Sequence, residues 1–135
     1  MSSAYVTEFA QADHDAQATA ATTETFTLGE VQYDGMVTEV ALVPTGPVTP
    51  NDTAYRTFTL VNKGGDGTLN VTIATLSTNV AGGAWVANDE KQWVLTGTNV
   101  ARHVSSNDVL IVVETVTGAG VAHPQFQVTV KGQRD

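Results

Sequence analysis

Few residues of this chain have the types and spacing to do chemistry. His14 stands between Asp13 and Asp15, three metal-ligating side chains in a row. Neighbours on an extended chain point to opposite sides, and a flexible acidic segment offers no preformed geometry, so the trio reads as solvated polarity. Ser105 or Ser106, His103 and Asp108 supply the three types of a nucleophilic triad. They crowd a single turn with no nucleophile elbow, and residues so close along a turn do not meet the geometry a triad demands. His103 and His123 read as loop histidines.

Asp89 and Glu90 form an adjacent carboxylate pair, and Glu114 interrupts an apolar run. A carboxylate inside a buried strand is a functional-site candidate, but the ordinary expectation for Glu114 is a solvated strand edge or a neighbouring base. The sequence KGGDG, Lys63 to Gly67, lacks the Lys-Ser/Thr ending of a phosphate loop and reads as a hairpin turn. Trp85 follows Gly82, Gly83 and Ala84 in a loop, where an exposed indole would make a platform for sugar rings; Trp93, in phase with Leu95, reads as core. No set of residues qualifies as a catalytic, cofactor-binding or metal site by spacing. The expectation is a protein that binds or builds rather than an enzyme.

The elements that would position these residues are strands. Thr and Val together supply 41 residues and Lys only three, a profile of strands joined by tight turns. Short runs with period-2 alternation recur from Glu24 onward. Thr25 to Leu28 places Phe26 and Leu28 on one face, and Met36 to Val43 sets Met36, Val40 and Leu42 against Glu39 and Ala41. The proline-rich stretch Pro44 to Asp52 is a loop. Tyr55 to Val61 points Phe58 and Leu60 inward, and a hairpin across KGGDG leads to a strand facing inward through Leu69, Val71 and Ile73. Gln92 to Leu95 follows, then Val109 to Val116 as a central strand covered on both faces, and Phe126, Val128 and Val130 in the closing strand. This rhythm predicts an all-β antiparallel β-sandwich with jelly-roll topology as one form of it, over residues 24–135.

Residues 1–23 differ. After Tyr5, Val6 and Phe9 the chain continues QADHDAQATAATT, with no apolar side chain larger than Ala to offset the entropy of ordering. This segment predicts an extended N-terminal arm, mobile until it docks.

Charge is as uneven as pattern. The first 55 residues hold eight acids and no Lys or Arg, whereas six acids balance six bases from Arg56 onward, so the whole net charge of −8 lies in the first part. Such a field attracts basic surfaces and repels nucleic acid and anionic lipid, which excludes both as expected partners. Tyr5, Val6, Phe9, Asp13, Asp15 and Glu24 are therefore the candidate contacts with a partner or a second protomer, and Trp85 is the candidate platform for a ligand. Cysteine is absent, so no disulfide is needed or possible, and 135 residues suit one domain. The start MSSAYVTEF has neither a basic n-region nor an apolar h-region, and no apolar run approaches the roughly 18 residues of a membrane span. The expectation is a soluble protein made in the cytoplasm.

Three segments carry a resemblance to a known group: TAYRTFTLVNKG (Thr53 to Gly64), VANDEKQWVLTG (Val86 to Gly97) and VSSNDVLIVVETVTGAGVAHPQFQVTVKG (Val104 to Gly132). In order and spacing they resemble the head decoration (cement) proteins and related capsid-surface proteins of tailed bacteriophages, over most of residues 30–132. The resemblance implies a β-sandwich with no active site or cofactor. It implies attachment to the outside of the assembled virion head, commonly as trimers at threefold positions, clamping neighbouring subunits of the major capsid protein. The competing expectation is a carbohydrate- or receptor-binding module displayed on the virion, with Trp85 at its binding surface.

Overall fold

The computed structural model describes residues 6–135. Tyr5 lies outside them. The strands are β1 (Val6–His14), β2 (Thr25–Glu30), β3 (Gly35–Pro44), β4 (Tyr55–Asn62), β5 (Val71–Ser77), β6 (Lys91–Gln92), β7 (Val94–Leu95), β8 (His103–Val104), β9 (Val109–Thr117) and β10 (Phe126–Arg134), with a 3-10 turn at Val80–Gly82 and one α-helical turn, α1 (Asn99–Arg102). They form the expected all-β sandwich. One sheet has the order β1-β10-β3-β6 with β8 also on β3, the other β2-β9-β4-β5-β7, and every pairing is antiparallel. The chain changes sheet at nearly every step, β1 in the first, β2 in the second, β3 in the first, β4 in the second, and β9 and β10 return to flank β4 and β3. This winding is that of a jelly roll. No helix among the described residues is long and apolar enough to cross a membrane.

Period-2 burial explains most of the core. Phe58 and Leu60 on β4, Leu110 and Val112 on β9, and Phe126, Val128 and Val130 on β10 all face inward and are essentially inaccessible. Trp93 is buried where the chain crosses between sheets, because β6 pairs with β3 and β7 with β5. Three expectations shift. A register slip opposite Lys131 and Gly132 bulges β3 near Thr38, so Val37 turns inward in place of Met36. Leu69 precedes β5 and stays exposed, leaving Ile73 as the fully buried one of the three residues expected to face inward. The outer face of β9 is half-exposed rather than covered, since Ile111 and Val113 belong to a sheet with nothing packed on its far side among the described residues.

The largest departure is at the N-terminus. Val6–His14 is no free arm but an edge strand paired with β10 from Val6↔Gln133 to His14↔Phe126. Its register slips between Glu8 and Ala10, and the intervening Phe9 turns into the core, 2 % exposed. Gly35 on β3 and Gly132 on β10 leave room for that ring: a Cβ at either would stand 2.7 Å from it. Burying Phe9 contributes roughly 2–3 kcal/mol, which offsets part of the entropy cost that made an arm plausible. The sandwich therefore includes Val6–His14 and does not start at residue 24.

Candidate functional site

At one end of the sandwich the apolar core gives way to charge. Glu114 lies on β9 in phase with Leu110 and Val112, and Arg56 lies on β4 in phase with Phe58 and Leu60, so both point inward. The register sets Phe58 opposite Glu114, which makes Arg56 and Glu114 diagonal neighbours on the inner face. Their side chains are fully buried, with Arg56 Nη1 3.4 Å from Glu114 Oε1. His14, the last residue of β1, follows Ala10 and Ala12 onto the inner face and stacks on Phe26 with ring centroids 4.0 Å apart. His123, in the connection from β9 to β10, completes the group from the opposite side, its side chain also fully buried.

The polar atoms of these residues converge. His14 Nε2 lies 3.0 Å from Glu24 Oε2 and 3.3 Å from Glu114 Oε2, and His123 Nε2 lies 3.1 Å from Glu114 Oε1. One donor atom from each of His14, Glu24, Glu114 and His123 falls within 4.8 Å of all the others. Yet His14 Nε2, His123 Nε2 and Glu114 Oε2 make no hydrogen bond, although all three are buried. They approach one another without the alignment that an N–H···O bond requires.

A supporting shell holds the group in place. Arg56 Nη2 donates to the carbonyls of Thr19 and Ala20 at 2.9 and 3.0 Å, Nη1 donates to Thr22 O and Nε to Val121 O. One guanidinium thus ties the connection from β1 to β2 against β4 and the loop after β9. Gly120 lets the two loops touch: its φ is +69°, and a Cβ there would stand 2.1 Å from Ala20 O. Gln17 pairs with His123 through two backbone hydrogen bonds of 3.0 Å, and its side-chain amide donates to Glu24 Oε1. His123 Nδ1 sits 2.8 Å from Pro124 O, an acceptor, so Nδ1 carries a proton and the ring directs Nε2 into the cluster.

Chemically, such a group can share a proton or coordinate a cation. The sequence criteria chose other residues. Asp13 and Asp15 beside His14 are exposed, as alternation demands, and Val6 is exposed on the edge strand. Phe9 is core and therefore not a docking contact, and Glu24 is turned toward the cluster with its side chain 29 % exposed. Trp85 is 1 % exposed and packs edge-on against Phe126, so its faces are not offered to a sugar. His103 meets Asp135 at 2.9 Å, while Asp108 accepts from the backbone of Ser105, so the turn holds no triad. Glu114 is neither solvated nor on an edge; it has the neighbouring base, in Arg56. The signal that could have exposed the cluster was two opposite charges in inward phase, Arg56 with Phe58 and Glu114 with Val112. Compared with protein-family models, with curated proteins and with solved structures, the chain matches none.

Proposed function

We propose that this chain is a head decoration protein of a tailed bacteriophage, a structural protein that docks on the outer surface of the assembled head and braces neighbouring major capsid subunits. The supporting observation is the outer face of the β2-β9-β4-β5-β7 sheet. One row crosses all five strands as Thr25, Val113, Thr59, Thr75 and Val94, and the flanking rows, Thr115-Thr57-Ser77 and Thr27-Ile111-Val61-Thr72, also lack any charge. An uncharged face on a chain of net charge −8 suits burial against a partner, because covering Thr and Val strands no ion in a dry interface. β4 and β9, the middle of this face, fall inside two of the segments that resemble decoration proteins. The sugar-binding alternative loses its platform with the burial of Trp85.

Sedimentation with empty heads tests the proposal. Wild type should bind saturably, and Thr59→Lys, at the centre of the uncharged face, should weaken binding at least tenfold while melting within a few degrees of wild type. Failure of wild type to bind heads overturns decoration; undiminished binding by Thr59→Lys moves the docking surface elsewhere. Sedimentation equilibrium of the isolated chain would report the trimer that the resemblance implies.

A further inference from the structure

We propose that His14, Glu24, Glu114 and His123 form a four-ligand site for a divalent transition cation of the zinc type, and that the bound ion fastens the end of β1 and the 15–24 connection to β9 and the loop before β10. The donor set is two imidazoles and two carboxylates, the mixture that zinc accepts in tetrahedral sites; calcium and magnesium require six or more oxygens. Tetrahedral bonds of about 2.0 Å place ligand atoms about 3.3 Å from one another. The contacts of 3.0 and 3.3 Å from His14 Nε2 to Glu24 Oε2 and Glu114 Oε2 match that spacing, and the separations of up to 4.8 Å close with a small rotation of a side chain.

Two further features favour a cation over a proton network. Three of the buried donor atoms face inward without a hydrogen bond, as expected of atoms aimed at a common centre rather than at each other. The supporting contacts are those of metal ligands: His123 Nδ1–H is held by Pro124 O, Gln17 holds the other oxygen of Glu24, and Arg56 touches Glu114 Oε1 and leaves Oε2 free. Four protein ligands leave no open position for water, so the site is structural and not catalytic. It clamps residues far apart in sequence, and its consequence is local rigidity.

The test uses the full chain after dialysis against a chelator. Zinc titrated by calorimetry should bind one ion per chain, and at a hundredfold excess over Kd it should raise Tm by about 5–10 °C, whereas magnesium should not. Amide exchange across residues 15–24 should slow on addition of zinc. Glu24→Gln and His14→Gln change the two least buried ligands and should leave the domain folded with affinity lowered at least tenfold, while His103→Ala, outside the cluster, should bind as wild type does. No zinc binding by wild type, or wild-type affinity in both Glu24→Gln and His14→Gln, overturns the proposal. A Tm that responds to pH but not to zinc would identify the cluster as a proton network and overturn it equally.

Discussion

Strand β1 is held at its two ends by opposite physics. At Phe9 the fit is apolar: a ring at a bulge fills the space that Gly35 and Gly132 vacate. At His14 the fit is electrostatic, and five ionisable side chains from five places in the chain meet within a few ångströms. The apolar end needs only shape. The charged end needs every partner, because a buried charge that loses its counterpart keeps the cost of desolvation and gives up the compensation. The contrast recurs within β9, where the inner face carries Val112 and, two residues on, Glu114.

The hardest way to break that contrast is to put a carboxylate where no partner exists. Val112→Asp should remove most or all of the domain's stability, several kcal/mol, in denaturant unfolding, although the same group is native at position 114. A soluble, cooperative variant with wild-type Tm would show that position 112 has access to water. Next comes Arg56→Met, expected to cost about 3–5 kcal/mol because it strands Glu114 and the carbonyls of Thr19, Ala20, Thr22 and Val121. Arg56→Lys should recover little of the loss, since an ammonium cannot reach that fan of acceptors.

Phe9→Ala, at the apolar end, should cost about 3 kcal/mol through the cavity it leaves. Amide exchange should then rise along Val6 to Ala12 more than at His14, which separates the two fastenings; uniform loss would show that β1 docks as one unit. The smallest effect concerns the exposed acids of the same strand and of the residue that follows it. Neutralising Glu8, Asp13 and Asp15 to Gln and Asn should change stability by less than about 0.5 kcal/mol. Under the decoration proposal it should slow attachment to heads and flatten its salt dependence, because exposed charges steer encounters and are screened beyond about 8 Å at physiological ionic strength. Equal salt slopes for variant and wild type would make the acidic edge a solubility feature only.

Local alternation is enough to write down β2, β4 and β10 and the inward residues Phe58, Leu60, Phe126, Val128 and Val130, because a strand's two faces repeat every second residue wherever the chain is half-buried, whereas the doubly apolar β9 gave its extent and not its inner face. Arg56 and Glu114 share the inward phase of Phe58 and Val112, a signal the sequence held, but alternation could not supply the histidines that meet them. His14 belongs to a stretch of Ala, Gln and Asp with weak strand propensity, and it becomes a strand only because the edge of β10 lies open to it and two distant glycines make space for Phe9. His123 sits in a loop with no periodicity, positioned by its backbone bonds to Gln17. Pattern reports which way a residue faces relative to its neighbours in the chain; which remote residues it meets there is decided when the two sheets close, and the charged cluster consists entirely of such meetings.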